Sequence, residues 1–515
     1  MDITKLTSEL ETILNRLENS EYEINNAVKN ISPKNKLSAK NLLRYLIVRT
    51  FDLRKYHDNL SDLGISSLRT SEGYVYSNLY NVVRNLKLIQ GIPINNIEQS
   101  VLPIELVGYK KSKKLLKKNT NKLFKRKQKK HFAEIMVTLP EDASKNRSII
   151  SKMANKGMEI ARINLGHGNI ESWTQMVKYI KEINNKTSHN IKIYMDLSGP
   201  KFRTSNIEIR DDNGRLRDKI NIRKEEHIVL TKRNTKGKKS VFNKNDEQLE
   251  KGEIGVLLHE IIDAIKVGDL VFFDDGMIKA KAIAKTNEDV ELKIINCYKS
   301  KLSSQKGINI PNSKYELPAL TDKDIEYLPF VCKHADLVGY SFVRTKEDVR
   351  YLYNELNKLN AGNLGIIFKI ENAEAFENLP SILIEGMKRE HIGVMIARGD
   401  LAVEVGFERI SEIQNEILWI CEAAHVPVIW ATQVLENLAK TGVPTRAEIS
   451  DATLGAHAEC IMLNKGPYIN KAIKTLEDIL VRMEAHSFKR KNAMRPLNIA
   501  IKAMDQLMEP QELLV

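Results

Sequence analysis

The sequence contains few cysteines and no long apolar segment. Its 515 residues include only Cys297, Cys332, Cys421 and Cys460, and no two of them have Cys-x-x-Cys spacing. This excludes a disulfide framework or a cysteine-rich zinc site and predicts reduced, mostly buried thiols. No apolar run approaches the roughly 18 residues that span a bilayer. The amino terminus is charged from Asp2 onward and lacks the apolar core of a secretion signal, so we expect a cytoplasmic protein without membrane contact.

Acidic residues are missing from one long stretch of the chain. Residues 110–130 contain twelve lysines and arginines and no aspartate or glutamate, so this stretch holds twelve of the fourteen net positive charges. A run of like charge is typical of a solvated, self-repelling linker. The same cluster can bind RNA, an anionic surface or an acidic partner by releasing counterions. Both interpretations stay open, and we assign residues 109–131 to a basic linker.

The first hundred residues lack a glycine-rich loop and any cluster of acids and bases. Apolar residues recur at helical spacing from Leu6 to Leu17, in a second segment that opens at Ser38, and from Ser77 to Leu88, which predicts helices. We therefore predict an all-α amino-terminal domain over residues 1–108. It would serve interaction or oligomerisation in a homo-oligomer, and its sequence does not identify a partner.

After the basic stretch, short β-rich runs alternate with amphipathic helical stretches. The predicted strands are 134–138, 159–164, 191–196, 336–341, 365–370, 392–397, 427–431 and 459–463. Eight β-then-α units imply strands that pair in parallel through right-handed crossovers. Eight such strands are the number that closes a TIM barrel. The predicted fold class is therefore α/β, a TIM (β/α)8 barrel in two parts, 132–204 and 311–487, with a carboxyl-terminal tail over 488–515.

One interval breaks the alternation of strands and helices. Residues 205–310 carry alternating strand patterns separated by polar turns, and Asp274-Asp275-Gly276 is a hairpin signal. We predict an inserted, β-barrel-like domain between the third barrel strand and its helix. At the mouth of the barrel such a domain is placed to act as a lid.

Polar residues lie at or just after the ends of six consecutive predicted strands, at the barrel end where TIM-barrel active sites lie. They are Arg162, Asn164 and His167 (which follows Gly166), then Asp196 and Arg203, Ser341, Lys369 and Glu371, Asp400, and Thr432. Lys369 and Glu371 are two apart on a strand and so point to the same side. Two carboxylates, Glu371 and Asp400, suit Mg²⁺, and the cations Lys369 and Arg162 suit a phosphoryl group.

Structural explanations compete with these assignments. Lys369 and Glu371 could form only an ion pair, Asp400 and Thr432 could cap helices, and Asn164 and His167 could serve as turn formers. The pair Thr445 and Glu448 matches a capping box, and there we favour the structural interpretation.

Eight strings, in this order, carry a family resemblance. They are ARINLGHG, MDLSGPKFRT, FFDDG, SFVR, FKIEN, MIARGDLAVEVG, WATQVLE and VPTRAEISDA. They resemble the pyruvate kinases over about Phe132 to Glu484. The resemblance implies a barrel with a β-domain inserted after the third strand. It also implies transfer of the phosphoryl group of phosphoenolpyruvate to ADP, giving pyruvate and ATP, with Mg²⁺ (or Mn²⁺) and usually K⁺.

The resemblance also assigns roles. Lys369 resembles the lysine that stabilises the phosphoryl transition state, Arg162 the arginine that grips the phosphate, and Glu371 and Asp400 the Mg²⁺ ligands. Ala397, Gly399, Asp400 and Thr432 match the phosphoenolpyruvate site, with Thr432 near the face where the enolate is protonated, and Ser341 matches a further active-site position. Asn164, His167 and Arg203 match positions on the nucleotide side. Asn164 and Asp196 also match ligands of the monovalent cation.

Two departures from the family concern the monovalent cation. Gly166 stands where the cation site usually has a serine, and Lys201 replaces a glutamate that accompanies K⁺ dependence. A fixed ammonium can supply the charge that K⁺ supplies elsewhere, about 4 kcal/mol at 4 Å and an effective dielectric near 20. We therefore expect activity without added K⁺.

Two further departures concern the nucleotide side and regulation. Residues 464–468 replace the family's SGETA, which leaves nucleotide affinity and identity open. The family's carboxyl-terminal regulatory domain is expected to be absent, together with regulation by sugar phosphates. The amino-terminal helical unit would then take over the role of that domain in assembly.

Three functions follow. The first is a pyruvate kinase-type phosphotransferase of glycolysis that uses phosphoenolpyruvate and ADP. The second keeps the phosphoenolpyruvate/Mg²⁺ half-site with another acceptor. The third is a non-catalytic regulatory protein that docks on RNA or an acidic partner through residues 110–130.

Overall fold

The structure is a computed structural model of the chain. It describes residues 2–98, 104, 106–124, 131–210, 214–484, 487–488 and 491–492. The carboxyl-terminal tail predicted over 488–515 lies mostly outside these residues. Its described part pairs with the residues just before it, because Ser487–Phe488 and Lys491–Asn492 form a small antiparallel ladder.

A closed barrel of eight parallel strands lies at the centre of the molecule, and the predicted fold class is confirmed. The strands are β1 Glu134–Thr138, β2 Ile160–Asn164, β3 Lys192–Asp196, β4 Leu337–Tyr340, β5 Gly365–Ile370, β6 Ile392–Ala397, β7 Val428–Ala431 and β8 Cys460–Leu463. Each pairs with the next, and β8 pairs with β1. Most of these strand residues are buried, since helices cover the outer face and side chains fill the inside, as near-continuous apolar runs predict.

Helices alternate with these strands and complete the core. They are Glu141–Ser144, Arg147–Asn155, Ile170–Lys186, Asp322–His334, Lys346–Lys358, Ala373–Glu377, Leu379–Gly386, Arg398–Val405, Ile410–Ala423, Glu436–Thr441, Arg446–Gly455 and Ile469–Glu484. Capping boxes open four of them, at Asn169, Thr321, Thr345 and Thr445. The structural interpretation of Thr445 and Glu448 is thereby confirmed.

The inserted domain follows β3. It contains the helix Glu260–Ala264 and the strands Ile209–Arg210, Leu216–Arg217, Lys219–Asn221, His227–Thr231, Val241–Phe242, Gln248–Glu250, Gly252–Gly255, Leu270–Phe273, Ile278–Lys285, Asp289–Cys297, Lys301–Ser303 and Ile308–Asn309. Six of these strands form one sheet with its own apolar core. The Asp274-Asp275-Gly276 turn has positive φ at all three residues and joins the antiparallel strands Leu270–Phe273 and Ile278–Lys285, as the hairpin signal predicts.

The amino-terminal region is helical, as predicted, and it packs against the barrel. Its helices are Ile3–Asn19, Glu21–Ala27, Lys36–Val48, Arg54–Asp62, Glu72–Tyr74, Val75–Ile89, Ile94–Glu98 and Tyr109–Phe124. Polar contacts join it to the outer layer of the barrel: the Asn41 side-chain amide donates to the carbonyl of Ala423 at 2.8 Å, and that of Asn35 to the carbonyl of Arg389 at 2.9 Å. Its apolar residues belong to the same core as the outer layer of the barrel.

The basic-linker interpretation of residues 109–131 is wrong where the structure describes them. Tyr109–Phe124, which we call the lysine helix, is helical, while residues 125–130 lie outside the described part. Ser112, Leu116 and Thr120 are buried on one face, and Lys114 and Lys118 are exposed on the other. The helical spacing of these buried residues therefore predicts the structure of this segment better than its run of like charge does.

The structure contains no helix in its described residues that is long and apolar enough to cross a membrane. The four cysteines all lie in the described part and form no disulfide with one another. Cys421 and Cys460 are buried, and Cys297 and Cys332 are half-buried.

Candidate active site

A cavity of about 390 Å³ opens at the carboxyl ends of the barrel strands. Most of the predicted site residues line it, namely Arg162, Asn164, Gly166, His167, Lys201, Arg203, Ser341, Lys369, Glu371, Ala397, Asp400 and Thr432. Asp196 does not line the cavity because it is fully buried beneath the rim. Gly399 is close by, since a Cβ built on it would lie 3.8 Å from Thr432.

Lys369 lies at the centre of a buried polar cluster at the end of β5. Its Nζ donates to Ser341 Oγ at 2.7 Å and lies 3.2 Å from Glu371 Oε1 and 3.5 Å from Asp196 Oδ1. Burial disfavours the ammonium, but the carboxylates of Asp196 and Glu371 outweigh burial and raise the pKa of Lys369. Lys369 therefore carries a fixed positive charge at neutral pH.

Glu371 is held so that one carboxylate oxygen accepts from the protein backbone. Its Oε2 accepts the backbone N–H of Phe342 at 2.7 Å. Burial raises the pKa of Glu371, with a further contribution from the nearby Asp400, while Lys369 opposes this rise. A bound cation would favour the ionised form of such a carboxylate.

Asp400 lies in the first turn of Arg398–Val405, and its charge is balanced by a lysine. Lys201 Nζ contacts both carboxylate oxygens of Asp400, at 2.7 and 3.0 Å. Asp400 is not the N-cap of this helix, since Ala397 holds that position. The capping alternative for Asp400 is therefore wrong. Lys201 also lies 3.9 Å from Asp275 in the hairpin turn of the inserted domain.

Arg162, on β2, is fixed from below by Asp196 on β3. Asp196 Oδ2 accepts from Arg162 Nε at 2.6 Å and lies 2.5 Å from its second terminal nitrogen. Arg162 also donates to Thr138 Oγ1 at 2.9 Å. Burial would raise the pKa of Asp196, but Arg162 and Lys369 lower it, so the buried carboxylate is ionised and orients both cations.

Thr432 lies in a strained turn after β7. Its φ is +64°, a conformation that is uncommon for a β-branched residue. The next helix begins at Glu436 with Leu435 as its N-cap, so the capping alternative for Thr432 is wrong. Its Oγ1 is buried and has no hydrogen-bond partner among the described residues, which leaves this hydroxyl to interact with a bound molecule.

The Thr432 turn is held by an arginine that the sequence reasoning did not single out. Arg398 donates to the carbonyls of Ala431 and Thr432, at 2.9 and 2.7 Å, and pairs with Asp451. Its guanidinium lies 4.5 Å from the ring centroid of Trp430. Arg398 and Asp451 belong to the quoted strings MIARGDLAVEVG and VPTRAEISDA, so the motifs contained the signal.

The turn-former alternative holds for Asn164, which also lines the cavity. Its Oδ1 accepts the backbone N–H of Gly166 at 3.0 Å, and its carbonyl accepts the backbone N–H of His167 at 3.1 Å. His167 has a lowered pKa, first because of burial and then because of Lys465. Arg203 donates to the carbonyl of Gln305 in the inserted domain at 3.0 Å.

The donor set at this rim suits Mg²⁺. Glu371 and Asp400 are the two carboxylates among the predicted ligands that line the cavity, and Mg²⁺ is commonly held by one or two carboxylates, with substrate oxygens and water completing its coordination. The described residues contain no group of three or more His, Cys, Asp and Glu side chains that could enclose a metal ion. A metal ion held by these two carboxylates would take its further ligands from a bound substrate and from water.

Comparison with known proteins identifies similar chains. Residues 130–472 match the family model described as pyruvate kinase, barrel domain. The chain is 30% identical over 352 residues to proteins named pyruvate kinase from Staphylococcus haemolyticus (strain JCSC1435) and Staphylococcus aureus (strain COL). The matched region is 67% of this chain and 56% and 55%, respectively, of those proteins, so the match spans just over half of the length of these relatives.

Proposed function

The chain belongs to the pyruvate kinase family, and on that basis we propose that it transfers the phosphoryl group of phosphoenolpyruvate to ADP. The bond between the phosphorus and the enol oxygen breaks, and a bond to a β-phosphate oxygen of ADP forms. The enolate that remains takes a proton at its methylene carbon, giving pyruvate and ATP.

The observation that carries this proposal is the convergence of fixed cations and carboxylates on one cavity. Arg162 and Lys369 line this cavity, and both contact the carboxylate of Asp196, which orients them. Phosphoryl transfer needs positioning and charge neutralisation more than covalent chemistry. In this proposal Arg162 binds the phosphate and Lys369 neutralises charge on the oxygens of the transferring group, where one preorganised donor is worth about 3 kcal/mol.

The remaining roles are assigned to residues around this pair. Thr432 Oγ1, which has no protein partner among the described residues, would face the methylene carbon that is protonated. The phosphoenolpyruvate site would be lined by Ser341, Ala397 and Gly399. The nucleotide would lie toward Asn164, His167 and Arg203, which line the same cavity.

Glu371 and Asp400 would hold Mg²⁺ (or Mn²⁺), which when bound neutralises charge on substrate oxygens. Lys201 neutralises Asp400 through contacts at 2.7 and 3.0 Å, so we propose that this lysine gives up part of that contact when the metal ion binds.

The test is steady-state turnover with phosphoenolpyruvate, ADP and Mg²⁺, coupled to lactate dehydrogenase. We expect Lys369→Met to lower kcat by roughly a hundredfold or more, since it removes a transition-state cation. Lys192→Met is the matched control. Lys192 is a largely buried barrel lysine at the opposite end of β3, 3.8 Å from Asp336, and its loss should leave kcat unchanged.

Two results would contradict the proposal. One is absence of turnover in the wild-type chain. The other is equal turnover in Lys369→Met and Lys192→Met, which would remove Lys369 from the mechanism.

A second candidate keeps phosphoenolpyruvate and changes the acceptor. Asn464 and Lys465 line the cavity, and Lys465 contributes to the lowered pKa of His167. The 464–468 loop thus reaches the nucleotide side with a cation. A panel of nucleoside diphosphates and other acceptors distinguishes the two candidates, because the second expects little turnover with ADP and faster turnover with another acceptor.

A further inference from the structure

Tyr194 is a buried tyrosine beneath the rim of the active site. It lies on β3 with its side chain among the apolar residues that fill the inside of the barrel, and it is fully buried. Its hydroxyl donates to Asp196 Oδ1 at 2.5 Å. A buried hydrogen bond to a charged acceptor is stronger than one between neutral groups.

The neighbouring strand makes room for this contact. Gly339 on β4 is in register with Asp196. A Cβ built on Gly339 would lie 2.0 Å from the Tyr194 hydroxyl oxygen and 2.1 Å from Asp196 Oδ1. Gly339 does not have a positive φ, so its lack of a side chain provides space here and not conformational freedom.

Asp196 distributes this contact to two cations of the active site. Its Oδ2 accepts a hydrogen bond from Arg162. Its Oδ1, which accepts the hydrogen bond from the Tyr194 hydroxyl, lies 3.5 Å from Lys369 Nζ. Arg162 and Lys369 line the cavity, whereas Tyr194 and Asp196 lie beneath it. A shift of the Asp196 carboxylate would therefore move both cations relative to anything bound above them.

The hydroxyl of Tyr194 keeps its proton. Burial, followed by the charge of Asp196, places the pKa of Tyr194 well above its usual value. The phenol is thus a permanent donor at neutral pH, and the orientation of the carboxylate does not depend on a titration.

We propose that Tyr194 is a positioning residue whose hydroxyl, in the space left by Gly339, holds Asp196 and through it aligns Arg162 and Lys369 on the phosphoryl group. The proposal rests on the proposed function for the identity of that group. It predicts weaker binding of phosphoenolpyruvate and slower phosphoryl transfer, with no change in the KM for ADP.

The experiment compares three variants with the wild-type chain. Tyr194→Phe removes only the hydroxyl, and Gly339→Ala crowds the same contact from the other strand. Tyr353→Phe is the matched control, because Tyr353 is a buried tyrosine on an outer helix that donates to the carbonyl of Gly386 at 2.7 Å. Kinetic constants are measured for phosphoenolpyruvate and ADP separately, and phosphoenolpyruvate binding without ADP is measured by calorimetry.

We expect Tyr194→Phe to lower kcat/KM for phosphoenolpyruvate by about ten- to a hundredfold, the range for a lost hydrogen bond to a charged group. Binding of phosphoenolpyruvate should weaken, and KM for ADP should stay at its wild-type value. Gly339→Ala should shift the constants in the same direction, and Tyr353→Phe should match the wild type. If Gly339→Ala does not fold, Tyr194→Phe still decides the matter, since it adds no atoms.

Wild-type constants in Tyr194→Phe would overturn the inference and leave the proposed function standing. So would an equal loss for both substrates that follows the fraction of folded protein, because a merely structural role predicts that pattern. A wild-type chain that binds phosphoenolpyruvate without turnover would contradict the proposed function, and weaker binding in Tyr194→Phe would then still support the inference. Absence of both turnover and binding in the wild type would overturn both.

Discussion

At the scale of single residues, the rim of the barrel is a set of charges that neutralise one another. Lys201 contacts Asp400, Arg162 contacts Asp196, and Lys369 lies between Asp196 and Glu371. Buried charges are stable only when they are paired in this way. A bound phosphate and metal ion would exchange these pairings for contacts of the same kind, so their binding leaves no charge isolated.

The first residue-scale prediction concerns K⁺. Of the expected cation ligands, Asn164 Oδ1 accepts from Gly166, and the Asp196 oxygens accept from Arg162 and Tyr194. Lys201 supplies a fixed positive charge beside Asp400. In a buffer whose monovalent cation is tetramethylammonium, we expect the phosphotransfer rate to rise less than about threefold when KCl is added. Such a rise corresponds to a decrease of under about 1 kcal/mol in the activation free energy.

A control keeps this measurement specific. The same ionic strength made up with tetramethylammonium chloride separates an effect of K⁺ from screening of surface charge. A large, saturable requirement for K⁺ would contradict our interpretation of Lys201 and Gly166.

At the scale of elements, the lysine helix closes the end of the barrel that lies opposite the cavity. Leu123 and Phe124 belong to the cluster that fills the inside of the barrel. Leu123 fits against two glycines, since a Cβ on Gly365 or Gly393 would lie 2.9 or 2.8 Å from it. A helix with seven lysines and no acidic residue therefore contributes to the barrel core through its few apolar residues.

The element-scale prediction follows from this packing. Leu123→Ala should lower the free energy of unfolding by about 2–5 kcal/mol, because it leaves a cavity in a filled barrel. Leu115→Ala is the matched control, since Leu115 lies on the same helix and is only half-buried. Denaturant unfolding of both variants is the measurement, and an equal loss in the two would show that the helix does not plug the barrel.

Elements with a strong local pattern could be predicted from the sequence, and long-range partners could not. The strands 134–138, 365–370 and 392–397 have the predicted bounds, because uninterrupted apolar runs identify buried parallel strands. The lysine helix was missed because its charges mask a narrow buried face. Most rim residues were found through the rule for strand ends.

The contacts that hold those rim residues depend on neighbouring strands. The pairing of Tyr194 with Asp196 requires the space at Gly339, more than 140 residues away along the chain. Asn309 of the inserted domain donates to Glu404 beside the rim at 3.0 Å. No periodicity encodes such partners, since they exist only after the barrel has closed and the inserted domain has packed on it.

At the scale of the whole molecule, His425 joins the amino-terminal helices to the barrel. It is fully buried, and its Nε2 lies 2.8 Å from the carbonyl oxygen of Gly73 and 3.1 Å from Ser112 Oγ, while its Nδ1 lies 3.0 Å from Ser38 Oγ. A carbonyl oxygen can only accept, so Nε2 carries the proton of the neutral ring. One imidazole thus contacts three separate segments of the helical region.

The last prediction is a loss of stability in acid that His425 causes. Burial, opposed only in part by the Gly73 carbonyl, lowers the pKa of His425 to about 4. The unfolded chain, with a histidine pKa of about 6.5, binds more protons between these values, so stability falls as the pH drops through this window. The contribution is about 2 kcal/mol between roughly pH 7 and pH 5. Denaturant unfolding at both pH values should show a smaller loss of stability in acid for His425→Gln than for the wild type or for the control His189→Gln, which changes a half-buried histidine. Equal losses in all three would mean that protonation of His425 does not oppose packing of the helical region on the barrel.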